Sequence, residues 1–85
     1  MSKCEKLLEK AYQAPSNFRF DELCKLAKCH GFEFQRQSSS HHIYKHANYN
    51  RILTFPECTG KVKPVYVIAL RDAIEELGGQ EELGG

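Results

Sequence analysis

The chain has 85 residues, of which 41% are hydrophobic and 27% charged, which suits one small globular domain and excludes a disordered chain. No apolar run approaches the roughly 20 residues that a membrane-spanning helix needs, and residues 1–10 lack the apolar core of a signal peptide. These features predict a cytoplasmic protein that binds no membrane. The net charge of +1 by itself favours no class of partner.

Charge is distributed unevenly along the chain. Residues 34–66 hold five basic residues and one acidic residue, Glu57, whereas residues 71–85 hold one basic and five acidic residues. The basic part also contains His41, His42 and His46. It predicts a surface that faces an anion such as RNA, although a solvated face of mixed charge would have the same composition.

The four cysteines form no C-x-x-C pair, so neither a zinc ribbon nor a redox motif is indicated. In a cytoplasmic protein we expect reduced cysteines that pack as small apolar side chains. A zinc site is the alternative, and its donors would be Cys24, Cys29 and His30 with His41 or His42. Their spacing is irregular for such a site, so the sequence predicts neither a metal nor another cofactor.

Two helices are predicted in the first 30 residues. The first covers residues 3–13, where Cys4, Leu7, Leu8 and Ala11 lie at the spacing of one buried stripe. In the second, Asp21 is predicted to be the N-cap. Gly31 is predicted to follow the last turn in the left-handed conformation that glycine adopts most easily.

After Gly31, apolar residues recur at every second position, as in a strand, and no longer at the spacing of a helix. This pattern predicts three strands over residues 32–37, 40–45 and 51–55. Short turns at Ser38-Ser39 and at residues 47–50 would make them antiparallel, and Pro56 would end the third. A last helix is predicted from Pro64 to Gly78-Gly79. Its buried face would consist of Val67, Leu70, Ile74 and Leu77.

The predicted order α-α-β-β-β-α is that of an α+β fold, in which a three-stranded antiparallel sheet carries helices on one face. A single domain would cover residues 1–79, with its core in 18–77, and residues 80–85 would form a disordered tail. Because the sheet has one open face, strand alternation separates the side chains of the second strand. We expect Ile43 and His41 to face the helices, and His42, Tyr44 and His46 to face the open side.

Three motifs in order resemble the HicA-type toxins, small ribonucleases of toxin–antitoxin systems. They are Gly31-Phe32-Glu33-Phe34, Ser40-His41-His42-Ile43-Tyr44, and Gly60-Lys61-Val62-Lys63-Pro64 ahead of a helix. The resemblance covers roughly residues 18–77 and makes the first helix an N-terminal extension. It implies a fold like that of double-stranded-RNA-binding domains, metal-independent cleavage of messenger RNA, and neutralisation by a HicB-type antitoxin that covers the active face.

Within this resemblance, the family's catalytic histidine corresponds to His42. Two positions depart from the family's pattern. Ser39 stands where the family commonly has glycine, and Glu57 stands where it often has histidine or arginine. These departures concern the turn before His42 and the basic character of the neighbouring rim.

Cleavage of RNA without a metal uses the 2′-hydroxyl as nucleophile and needs a proton acceptor, a proton donor and cationic groups. His42 is a candidate for either proton transfer because histidine titrates near neutral pH, and a structural role is the alternative. His46 could be a second proton carrier or an incidental surface residue. Ser40 could orient His42 or only hold the turn.

Further candidates for RNA contacts are Tyr44, Lys45, Lys61 and Lys63. Tyr44 could stack on a base or be a half-exposed aromatic residue of the sheet. The lysines could contact phosphates, although each one singly could be an ordinary surface residue. A non-catalytic RNA-binding module and a protein-interaction module on the same fold are the alternatives to a ribonuclease.

Overall fold

The computed structural model describes residues 3–84, and from residue 79 onward only their backbone; Met1, Ser2 and Gly85 lie outside the described part. Its elements are α1 (Lys3–Gln13), a 3₁₀ turn (Pro15–Asn17), α2 (Phe20–Cys29), β1 (Glu33–Ser38), β2 (His41–His46), β3 (Tyr49–Pro56) and α3 (Pro64–Gly84). The strands form one antiparallel sheet in the order β1-β2-β3. The predicted α+β fold and its element order are therefore confirmed, while the domain bounds remain a prediction.

The start of α2 differs from the prediction. The helix begins at Phe20 with Arg19 as its N-cap, so the prediction that Asp21 caps it is wrong. Glu22 closes the first turn instead, since its carboxylate accepts the Arg19 backbone N–H at 3.0 Å. Burial acts to raise the pKa of Glu22, but hydrogen bonds from Lys10 of α1 and from Arg19 outweigh it and the pKa is lowered. The same carboxylate thus closes α2 and joins it to α1.

Gly31 ends α2 as predicted. Its φ of +85° lies in the left-handed region, which residues other than glycine rarely adopt. A Cβ on Gly31 would also lie 2.9 Å from Nε2 of His46, so the β2 side chain can pack there only against glycine. The residue therefore serves both the helix end and the contact of the helix with the sheet.

Cys4 and Cys29 form a disulfide that joins the start of α1 to the last residue of α2. The prediction of reduced cysteines is wrong for this pair, because sequence spacing does not reveal that two helices place these residues side by side. Cys24 and Cys58 are free. In the described part of the chain, no three His, Cys, Asp or Glu side chains lie close enough together to hold a metal ion.

Helix α3 begins at Pro64, as predicted. It buries Val67, Leu70, Ile74 and Leu77 on one face, which confirms the predicted stripe. Its backbone continues to Gly84, so the predicted end at Gly78-Gly79 is wrong. Glycine weakens a helix by about 1 kcal/mol relative to alanine but does not forbid it. No helix in residues 3–84 is both long and apolar enough to cross a membrane.

Helices and sheet enclose one hydrophobic core. Its buried members are Ala11, Phe18, Leu23, Leu26, Ala27, Phe32, Tyr44, Leu53, Phe55, Val62, Val67, Leu70, Ala73, Ile74 and Leu77. Each helix and strands β2 and β3 contribute to this set, whereas the side chains of β1 are exposed. The core therefore lies on the helix side of the sheet, and the opposite face is open.

The side chains of β2 have the opposite orientation to the one predicted. Tyr44 is 2% exposed in the core, while Ile43 is half-buried on the open face. The cross-strand partners explain this, because Tyr44 pairs with Phe34 and Leu53, whereas the partners of Ile43 are polar on both sides (Arg36 and Thr54). His42 and His46 accompany Tyr44 on the helix side, and exposed His41 lies on the open face.

The β1–β2 hairpin turns at Ser39 and Ser40, between the paired residues Ser38 and His41. Ser39 has a φ of +58°. Among the residues that the structure describes, it is the one non-glycine residue with a positive φ. A positive φ at the first central residue is typical of a type II′ turn, which prefers glycine there. The serine thus adopts a backbone conformation that glycine reaches more easily.

Replacing Ser39 with glycine should raise the free energy of unfolding by about 1 kcal/mol, because the left-handed strain of a residue with a Cβ is removed. Urea denaturation followed by circular dichroism measures this change. Ser40→Gly is the matched control and should not stabilise the protein, since glycine there only adds freedom to the unfolded chain. Equal effects of the two substitutions would contradict the assigned turn.

Candidate active site

His42 lies near the start of β2, at the end of the sheet where α2 begins. Its side chain is 17% exposed. The Phe20 ring of α2 contacts it edge-on at 4.8 Å between centroids, and the Phe34 ring of β1 lies 5.5 Å away. Two aromatic rings from different elements therefore hold the imidazole in one place.

Glu57 is the polar neighbour of His42. Its Oε2 lies 3.2 Å from Nε2 of His42. Two features of β3 place it there: Phe55 pairs directly with His42, and Glu57 follows two residues later on the same face. In addition, the Glu57 backbone N–H donates to the Ser40 carbonyl at 2.6 Å. Sequence reasoning missed this contact, because the diagonal neighbour of a strand residue is known only once the strand register is known.

A cleft of about 520 Å³ adjoins this pair. It is lined by Arg19, Phe20 and Asp21 at the start of α2 and by residues 57–60 after β3. Phe20 and Glu57 both line the cleft and both contact His42, so the imidazole lies directly behind two of the lining residues. The cleft carries charge of both signs, from Arg19, Asp21 and Glu57.

Lys61 and Lys63 lie in the segment between β3 and α3. Val62 between them is 4% exposed, and its N–H donates to the Phe18 carbonyl at 2.8 Å. The lysines on either side are therefore exposed, and both line a smaller recess of about 340 Å³. Cys58 lines this recess and also the larger cleft, so the two lie side by side. The predicted residues His42, Lys61 and Lys63 thus belong to one end of the molecule.

Ser40 and Lys45 were also predicted to contact RNA. Ser40 is exposed beside the site, where its carbonyl fixes Glu57. Lys45 is exposed opposite Glu33 and lines a separate recess at the other end of β2. The structure therefore brings Ser40 to His42 and leaves Lys45 apart from it.

Tyr44 is not available for stacking on a base, so the prediction that it lies on an exposed face is wrong. The ring is 2% exposed and packs against Phe34 and Phe55 at 5.7 and 5.5 Å. Burial and the contact with the Cys24 thiol both raise the pKa of the Tyr44 hydroxyl. The residue is part of the core that supports β2 between its two histidines.

His46 has a structural environment at the far end of β2. Its Nδ1 accepts the Asn48 backbone N–H at 2.9 Å, and its ring lies edge-on to Phe32 at 5.0 Å. Four residues of extended chain separate it from His42, which corresponds to about 13 Å. The proposed second proton carrier is therefore not brought to the cleft, and His46 fixes the β2–β3 turn.

A half-buried imidazole that contacts a carboxylate beside an open cleft can accept or donate a proton.

A family model described as HicA toxin of bacterial toxin-antitoxin matches residues 20–78. This range contains α2, the whole sheet and the described side chains of α3, and leaves out α1. Neither a search of curated proteins nor a search of solved structures gives a significant match to the chain.

Proposed function

Because the chain belongs to the HicA toxin family of bacterial toxin–antitoxin systems, we propose that it is an endoribonuclease that cleaves messenger RNA without a metal ion. The observation that carries the proposal is the position of His42. Its ring is held by Phe20 and Phe34, its Nε2 contacts Glu57 of the cleft, and 17% of the side chain is exposed.

The proposed reaction begins with the 2′-hydroxyl of the RNA. His42 takes its proton, the 2′-oxygen attacks the adjacent phosphorus, and the bond from phosphorus to the 5′-oxygen breaks. The leaving 5′-oxygen takes a proton from solvent, so the products are a 2′,3′-cyclic phosphate and a 5′-hydroxyl. Proton transfer by one positioned group is the step that the protein must supply.

Lys61 and Lys63 support the proposal as contacts for the RNA backbone. Both are exposed beside the cleft, in a segment whose backbone is fixed by Val62. Lysine binds phosphate as a point charge without reading the base sequence. We therefore propose that these two residues hold the RNA in a salt-dependent manner while His42 acts on it.

We further propose that a HicB-type antitoxin neutralises the protein. Membership of a toxin–antitoxin family supports this partner. An antitoxin that covers the cleft beside His42 would block access of RNA to the imidazole. Cleavage should then cease when the antitoxin is added in equal amount.

Incubation of the purified protein with a defined RNA in the presence of EDTA tests the proposed reaction. We expect cleavage that gives 2′,3′-cyclic phosphate and 5′-hydroxyl ends. An RNA with a single 2′-deoxy nucleotide at the cleaved position is the matched control and should remain intact there. Cleavage of the deoxy control, or dependence on an added metal, would contradict the mechanism. Binding without cleavage would instead identify a non-catalytic RNA-binding module.

A further inference from the structure

We propose that Glu57 is a positioning residue that determines which ring nitrogen of His42 carries the proton. This inference rests on the proposed ribonuclease function and adds a second residue to its proton transfer. Glu57 is the acidic residue of the otherwise basic part of the chain, residues 34–66. Its contact with the imidazole gives it a chemical task that a basic residue could not perform.

The first argument is the choice of ring nitrogen. Nε2 of His42 lies 3.2 Å from the Glu57 carboxylate, which can only accept a hydrogen bond when ionised. In the neutral ring, the proton is then on Nε2 and the lone pair is on Nδ1. No other hydrogen bond to His42 is found within residues 3–78. Nδ1 is therefore the nitrogen that remains to take the 2′-hydroxyl proton.

The second argument is the charge that forms during the reaction. When His42 accepts a proton it becomes an imidazolium, which a neighbouring carboxylate stabilises. The groups on the other sides of the ring are uncharged, since β1 presents Phe34 and Gln37 there. At the start of α2, the N-cap residue Arg19 and Asp21 line the cleft with opposite charges. Glu57 is thus the carboxylate in contact with the ring in the described part of the chain.

The third argument is that the backbone fixes Glu57. Its N–H donates to the Ser40 carbonyl at 2.6 Å, so the residue continues the pairing of β3 with β2 beyond Pro56. Its side chain is nevertheless 53% exposed. Solvent screens a carboxylate so placed, and the expected effect on rate is moderate rather than absolute.

A simple electrostatic role makes the opposite prediction. If Glu57 only placed a negative charge beside the RNA phosphates, its removal would strengthen RNA binding and speed cleavage. If it positions His42, its removal slows cleavage even though repulsion of the RNA is relieved. The sign of the change in kcat/KM therefore separates the two roles.

Glu57→Gln removes the charge and keeps the shape, and Glu33→Gln is the matched control. Glu33 is exposed on β1, opposite Lys45 and away from the cleft. We expect E57Q to lower kcat/KM for RNA by about tenfold near neutral pH. The loss should appear in kcat, with KM not raised, because Glu57 contacts the imidazole and removal of its charge relieves repulsion of the RNA. E33Q should leave kcat and KM unchanged.

Three outcomes are distinguishable once circular dichroism shows that both variants are folded. A lower kcat for E57Q without a higher KM supports the inference. If the wild-type protein cleaves RNA and E57Q has an equal or higher kcat, or loses rate only through a higher KM, the inference is overturned and the proposed function stays intact. If the wild-type protein does not cleave RNA under any condition, the proposed function and the inference fail together.

Discussion

Replacing His42 with glutamine should reduce the rate of RNA cleavage by about 10²–10⁴-fold, which is the usual contribution of a positioned proton-transfer group. Glutamine is close to histidine in size and can still contact Glu57, but it cannot carry the proton. The aromatic neighbours Phe20 and Phe34 should keep their places, so the fold should persist. Single-turnover cleavage of a labelled RNA, with a separate measurement of RNA binding, isolates the chemical step.

The neighbouring residue provides the control for this prediction. His41 is exposed on the open face of the sheet, one position along the chain and on the opposite side of it. His41→Gln is the same substitution at the neighbouring position. Cleavage should stay within about twofold of the wild type, because surface changes of this kind have small effects. Equal losses for H41Q and H42Q, or undiminished cleavage by H42Q, would refute the assignment of His42.

Replacing Tyr44 with alanine should lower the free energy of unfolding by about 3–5 kcal/mol, the cost of removing a large aromatic side chain from a core. The ring is 2% exposed and contacts Phe34 and Phe55, so a cavity would remain. Ile43→Ala should cost only about 1 kcal/mol. Ile43 is only half-buried on a face open to water, so its side chain gains less free energy from burial than one in the core. Urea denaturation followed by circular dichroism gives both values.

The two substitutions together test which face of β2 is buried. The larger loss is expected at Tyr44, although the chain alone suggests that the aliphatic Ile43 is the residue inside. If Ile43→Ala were the more destabilising change, then His42 would lie on the open face with Tyr44. The cleft beside Glu57 would then not be the environment of the imidazole.

The helical stripes show how much of the fold follows from local spacing. Val67, Leu70, Ile74 and Leu77 recur at the period of a helix, and a helix can bury such a set on one side whatever it packs against. Gly31 is similar, because the end of a helix needs a left-handed residue regardless of the neighbouring elements. These predictions depend on a few adjacent residues, and the structure confirms them.

The face of β2 could not be predicted in this way. Both faces of the strand carry one large apolar residue, so alternation alone gives two solutions of similar quality. The choice depends on residues in β1 and β3, which are apolar beside Tyr44 and polar beside Ile43. Information of that kind exists only once the three strands are in register.

The candidate site likewise has a part that the sequence predicts and a part that depends on the tertiary structure. The order of the motifs in the chain was sufficient to single out His42, and to place Lys61 and Lys63 in one segment. The contact of His42 with Glu57 depends on the pairing of β2 with β3, and on a backbone hydrogen bond across it.

The sequence by itself therefore determined the elements, their order and the family, because each depends on residues that are near one another in the chain. Only the tertiary structure decided which face of β2 is buried, which carboxylate contacts His42, and that Cys4 meets Cys29. These contacts join residues that are far apart in sequence. They depend on strand register and helix packing, which are properties of the whole fold.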